Sequence, residues 1–278
     1  MRLKNILITI LAAISLMTFT GCIDIIEEMT LRKNGTGNYT MRMDMSGMIG
    51  MMQMMSEFGG EMEGGEENGT PEDLFKNLMA NEEAFDSTVY LKNADPELLA
   101  QFSDNPGFAE KVNIHIKADP AENEFLLDFN VDFRNMDDLD YFFKNFDKIA
   151  SMMGEGDESS ELDMMSMGGA SPLGGIMGGG LTRYFDLKKR TLIRRDATPQ
   201  EASDELKNMS GEERQMMEMM FGDASYKVIY NLPGKVKKMT SKDATLSSDK
   251  KTVMLQGDLM DYMTGDFKVA NIIQFGRK

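Results

Sequence analysis

The sequence predicts an α+β protein: an antiparallel sheet of hairpins with helices packed on one face, and Gly/Met-rich flexible loops between them. Three observations carry this. Apolar and polar residues alternate in several runs, the period of two that a half-buried strand requires. Turn sequences such as Asn34-Gly35 and Asp119-Pro120-Ala121-Glu122-Asn123 join those runs in pairs, as hairpins. One run that begins at Asn135 has apolar residues at helical spacing instead, and such a stripe needs a sheet to lie on.

In chain order, IDIIEEMTLRK from Ile23 and NYTMRMDM from Asn38 read as the first hairpin, with Tyr39, Met41, Met43 and Met45 on its buried face. Residues 46–58, SGMIGMMQMMSEF, read as a helix with Ser46 as N-cap and apolar side chains round most of its circumference. Such a helix needs a groove in its own protein, a partner or a membrane interface. A flexible acidic loop is expected at 59–70, then a short helix opened by Pro71 behind Thr70. A short strand is expected at Val89 to Leu91 and a short helix at Pro96 to Phe102.

The second hairpin is the clearest: Val112, Ile114 and Ile116, then Phe125, Leu127, Phe129, Val131 and Phe133, each alternating with polar residues. Asn135 caps a helix expected to run unbroken through Leu139, Phe142, Phe143, Phe146, Ile149 and Ala150 to Met153. Residues 154–180 form a second low-complexity loop, disordered or a mobile lid. Strands follow at Thr182 to Leu187 and Thr191 to Arg194, then two capping-box starts at 198–201 and 210–213. Further strands are expected at Tyr226 to Leu232, Lys235 to Thr240, Thr252 to Gln256 and Phe267 to Phe275, with a helical turn at Asp258 to Met263. One continuous sheet within a single domain over 22–278 is expected rather than two domains.

The amino terminus has a positive n-region with Arg2 and Lys4, a short apolar h-region, and Phe19-Thr20-Gly21 before Cys22, the one cysteine in 278 residues. This segment resembles the lipobox family of bacterial export signals, in which residues such as 1–21 here are cut away and the cysteine carries the lipid. Phe19 departs from the commoner leucine. The apolar run is shorter than the roughly 20 residues of a spanning helix, so the mature chain is expected to hold a membrane through lipidated Cys22. Ile23, rather than aspartate, after the cysteine points by analogy to outer-membrane delivery; the side it faces, periplasm or medium, stays open. Structure is expected within a few residues of the lipid, which leaves almost no tether.

The hairpin LRKNGTGNYTMRMDMSGM behind that cysteine, with the later VIYNLPGKVKKM and ATLSSDKKTVMLQGDL, resembles the LppM-type envelope lipoproteins. The resemblance covers the two ends of the domain and rests on structural turns. It implies an α/β envelope domain that contacts lipid and transfers no catalytic residue; the expected lack of a C-terminal membrane segment departs from some relatives.

Thirty basic against 46 acidic residues give a net charge of −16, and loss of the signal removes two more cations. A nucleic-acid partner is therefore not expected. Two local basic stretches, Lys188 to Arg195 and Lys235 to Lys238, read as solvated strand edges, where lysine discourages aggregation.

The chain carries 29 methionines, and three accounts of them stay open. They fill the core; or Met48, Met51, Met52, Met54 and Met55 form a compliant apolar surface for a lipid or an envelope protein partner; or the thioethers of Met51, Met52, Met54 and Met55 capture Cu(I). Catalytic constellations are not found. There is one histidine, His115, on a polar strand face, and no free thiol beside it. Asp137 and Asp138 read as helix N-terminal charge, and Asp128, Asn130 and Asp132 lack EF-hand spacing. The expectation is a non-catalytic lipoprotein without a cofactor. It binds a hydrophobic ligand or an envelope partner, with a periplasmic Cu(I)-binding protein and a purely structural lipoprotein as the alternatives.

Overall fold

The computed structural model describes residues 23–47, 84–105, 107–119, 121–150, 182–197, 211, 218 and 221–276. Cys22, the methionine-rich helix at 46–58 beyond Gly47, the loops 59–70 and 154–180, the helix at 71–80 and all but Gly211 of the capping-box segments lie outside them.

Twelve strands are described: β1 Asp24–Leu31, β2 Gly37–Asp44, β3 Phe85–Tyr90, β4 Val112–Asp119, β5 Glu124–Phe133, β6 Thr182–Lys188, β7 Thr191–Ala197, β8 Ser225–Asn231, β9 Val236–Met239, β10 Thr245–Leu246, β11 Thr252–Asp258 and β12 Asn271–Phe275. With them are four short helices: α1 Pro96–Ala100, α2 Met136–Lys144, α3 Phe146–Ala150 and α4 Leu259–Thr264. The α+β class is as the sequence predicts. The single continuous sheet is not: the strands form an eight-stranded sheet, β10-β11-β8-β1-β2-β5-β4-β3, and a separate four-stranded one, β6-β7-β12-β9. The larger sheet is also mixed, because β1 and β8 run parallel. A hairpin forces antiparallel pairing, but β8 arrives from far along the chain and is under no such constraint. Asp24 helps fix its register, since Oδ1 accepts from the Ser225 N–H at 3.1 Å and from its hydroxyl at 2.6 Å.

Period-two alternation has its expected effect. Ile25, Met29, Tyr39, Met41, Met43, Phe129, Val131, Tyr226 and Val228 are buried on one face of the larger sheet. Residues at the intervening positions, such as Thr40, Arg42 and Asn130, stand on the open face. The second sheet and α2 cover the buried face: Phe185 of β6 lies against Tyr39 and stacks on Phe143 of α2, and the apolar residues of both sheets form one cluster. Each fully buried aromatic ring there contributes about 1.5–3 kcal/mol.

Two local departures have physical causes. The helix capped by Asn135 ends at Lys144 and restarts at Phe146, because the Asn145 side chain donates to the Tyr141 carbonyl at 2.9 Å and accepts from Lys148 at 3.0 Å. The strand before α1 runs from Phe85 to Tyr90, earlier and longer than expected. As an exposed edge strand it carries no alternation for the sequence to show.

Candidate functional site

Three connections meet at the carboxyl-terminal end of β1. The β1–β2 turn places Arg32, Lys33, Asn34 and Gly35 there, the β6–β7 turn places Lys189 and Arg190, and the link from β8 to β9 brings Pro233. Phe275 and Gly276, at the end of β12, close the back. Together they enclose a cleft of about 530 Å³, with Leu31, Leu187, Pro233 and Phe275 as apolar floor and four cations around it.

Local sequence explains the walls. Gly35 takes a φ of 87°, which favours glycine, and Asn34 Oδ1 accepts from the Thr36 hydroxyl at 2.9 Å, so the turn is self-supporting. Arg190 is fixed through its backbone, its carbonyl accepting from the Phe275 N–H at 3.0 Å. Gly276 donates to the Lys235 carbonyl at 2.8 Å, and a Cβ on Gly234 would lie 2.1 Å from the Gly276 carbonyl oxygen. Only a glycine admits that approach.

The electrostatics are one-sided. Among the described residues, no carboxylate lies within ion-pair distance of Arg32, Lys33, Lys189 or Arg190. Two other charges in the flanking turns are already occupied. Lys188 pairs with Asp186 at 2.7 Å, a bond that holds its pKa above the ordinary lysine value. Asp249 is bound within its own turn, where the Ser247 hydroxyl and the Lys251 N–H hold it below the usual carboxylate range. Lys189 has a left-handed φ of 58°, and Lys250 a φ of 60°. An L side chain in that region costs about 1–2 kcal/mol that glycine avoids, so lysine is kept at a strained turn.

The cleft revises the reading of the two basic stretches as solvated strand edges. Lys237 and Lys238 do lie exposed on β9, an edge strand. The stretch from Lys188 to Arg195 instead splits. Lys189 and Arg190 rim the cleft, while Arg194 is 2% exposed between the two sheets. There Arg194 donates to Glu27 at 2.6 Å and to the Tyr226 hydroxyl at 3.0 Å, and Tyr226 donates to the other oxygen of Glu27. Sequence reasoning missed this cluster and missed Arg32 and Lys33 as site residues. The signal for the latter was present: an Arg-Lys pair directly before an Asn-Gly turn.

The other residues singled out by sequence are placed as follows. Met41, Met43 and Met45 are 1%, 0% and 3% exposed, so these methionines are core. Met48, Met51, Met52, Met54, Met55 and Cys22 lie outside the described residues. His115 stands on the open face of the larger sheet in a row with Asp86 at 2.8 Å and Asp128, whose carboxylate accepts from Arg42 Nε at 2.7 Å and Nη2 at 2.8 Å. Asn130 of β5 accepts from Thr40 at 2.8 Å, and Asp138 accepts from Lys111 at 2.5 Å and from the Arg134 N–H at 2.8 Å. Among the described residues, no three His, Cys, Asp or Glu side chains converge as metal ligands, and no helix is long and apolar enough to cross a membrane.

No family model matches the sequence, and no curated protein matches it. Among solved structures, the chain is similar to the folded domain of the LppM protein of Mycobacterium tuberculosis, determined by NMR, with a TM-score of 0.38 and 7% identity over 93% of this chain and 92% of that one.

Proposed function

We propose that this chain is a non-catalytic envelope lipoprotein, held to a membrane by lipidated Cys22, whose domain binds an anionic amphiphile in the cleft between the three turns. The observation that carries this reading is the set of four cations that have no carboxylate partner among the described residues, ranged round an apolar floor, in a chain of net charge −16. A solvated lysine face has no floor, and an apolar pocket for a neutral ligand has no need of four charges. Phosphate or carboxylate head groups satisfy the cations, and the first methylenes of a chain cover Leu31, Leu187 and Phe275.

This reading assigns the ligand to the cleft; Met48 to Met55 lie outside the described residues. Buried Met41, Met43 and Met45 support core packing as the role of the methionines on β2.

The chain from Ile23 onward keeps every described strand and serves for the test. It is expected to sediment with phosphatidylglycerol vesicles and not with phosphatidylcholine vesicles, and to lose that association when Lys189 and Arg190 are both changed to Glu. Equal sedimentation of the charge-reversed protein sinks the cleft as the site. Displacement by inorganic phosphate alone would show that the floor contributes nothing. Acylation is read separately, as the mass of the amino-terminal peptide of the protein isolated from membranes.

A further inference from the structure

The cleft and the start of β1, next to Cys22 in sequence, lie at opposite ends of the larger sheet. β1 starts at Asp24, two residues after Cys22, and ends at Leu31 in the floor of the cleft. Eight residues of strand span roughly 26 Å. The pole nearest Cys22 is acidic: Asp258, Asp24 and Asp44 stand at the ends of β11, β1 and β2 in one row, and Asp119 pairs with Glu124 further along.

The anchor has almost no slack. Ile23 is 1% exposed, and its carbonyl accepts from the Ser225 N–H at 3.3 Å, so any slack is confined to what precedes Ile23, at most about 3.5 Å for the one residue to Cys22. β1 also lies in the middle of the larger sheet, with three strands on one side and four on the other. At about 4.8 Å per strand, tipping the sheet onto either edge would need a tether of about 14–19 Å. Tipping it onto its open face is within reach, but the described residues of that face offer an anionic leaflet no net attraction. Glu28, Asp86, Asp128 and Asp132 there outnumber Arg42, Lys117 and Lys227, even before the strand-end acids are added.

We infer that the domain stands with the strands of its larger sheet directed away from the anchoring bilayer and uses its basic pole in trans, docking on a second anionic lipid surface that faces the first. The inference rests on the proposed ligand reading of the cleft. At roughly three Debye lengths from the anchoring surface, the four cations feel little of its charge, so they remain available to an opposing one. The apolar floor is what selects a lipid surface over an anionic polymer, which presents no chain to cover it.

The test uses the whole lipoprotein, expressed with its signal, extracted from membranes and reconstituted into phosphatidylcholine donor vesicles. Fluorescent acceptor vesicles containing phosphatidylglycerol should be captured and pure phosphatidylcholine acceptors should not. Changing Lys189 and Arg190 to Glu should abolish capture, and adding phosphatidylglycerol to the donor bilayer should leave it unchanged. Suppression of capture by donor phosphatidylglycerol would overturn the inference, because the cleft would then be serving its own leaflet. Failure of capture while the unlipidated chain from Ile23 still binds anionic vesicles would overturn the inference and leave the ligand reading intact. Failure of both would remove the ligand reading itself. Binding of soluble polyphosphate without vesicle capture would overturn the inference in favour of a polymer.

Discussion

Arg190 and Arg194 stand four residues apart and live under opposite rules. Arg194 is sealed between the sheets and satisfied: Glu27 takes its charge, Tyr226 and Tyr230 accept from its nitrogens, and its guanidinium lies 5.4 Å from the ring centre of Phe185. Arg190 sits in the turn where β7 begins, beside three more cations and with no acid in reach among the described residues. Among the described residues, the fold therefore meets the needs of the cation that it buries and leaves those of the cleft unmet. On the proposed ligand reading, that difference separates charge used to hold the layers together from charge kept for something outside the chain.

Breaking the buried member should produce the largest effect. Arg194→Met leaves Glu27 in the core without its cation, and unpairing a buried ion pair costs about 3–5 kcal/mol. The expected outcome is a marked fall in the urea midpoint. The double variant Glu27→Leu with Arg194→Met should regain most of that loss, because a well-packed apolar pair replaces both charges. A single-variant loss below about 1 kcal/mol would mean that water reaches the pair. Per folded molecule, anionic-vesicle binding should be unchanged.

The next effect belongs to the cleft wall. Gly234→Ala drives a methyl group to 2.1 Å from the Gly276 carbonyl oxygen, so the link from β8 to β9 must shift. Overpacking of this kind costs about 1–3 kcal/mol. Because Pro233 and Gly276 line the cleft, vesicle binding should weaken together with thermal stability. Undiminished binding at reduced stability would show that this wall is only structural.

Most strands could be read from the sequence because one buried face imposes period two. Tyr39 to Met45 and Phe125 to Phe133 show it, and their pairing and burial follow the alternation. The fold class and the helix starts at Asn135 and Pro96 are local matters and could be read in the same way. Sheet partition was not legible. The parallel pairing of β1 with β8, and the separation of β6, β7, β9 and β12 into a second sheet, join segments distant in sequence, and alternation says nothing about which strand is the neighbour. The cleft was hidden for the same reason. Arg32-Lys33 and Lys189-Arg190 are ordinary turn residues until tertiary structure sets them side by side, and Arg194 looked like one more charge in a basic run.

Lys189 offers a sharper comparison within the cleft itself, because its backbone and its charge pull in opposite directions. Lys189→Gly relieves the left-handed φ of 58° and is expected to raise stability by about 1 kcal/mol, measured by denaturant titration. The same change removes one of the four cations, so anionic-vesicle binding should fall. Stability and binding moving in opposite directions is the signature of a residue kept for a ligand. If both rise together, the lysine is an incidental occupant of its turn.

The smallest effect is expected where the methionines are packed as core. Met41→Leu and Met43→Leu preserve volume on the buried face of β2, and such exchanges stay inside about 1.5 kcal/mol. Neither should alter vesicle binding, since both side chains are sealed between the larger sheet and the elements that cover it. The same pair of variants bears on copper. Thioethers on one strand face are spaced for shared capture of a soft ion, but at 1% and 0% exposure these two have no route to one. Cu(I) titration of the double variant should match that of the parent chain. A lost equivalent would show that β2 opens in solution and that its methionines are ligands after all, which would move them from the set of groups the fold has satisfied to the set it holds in reserve.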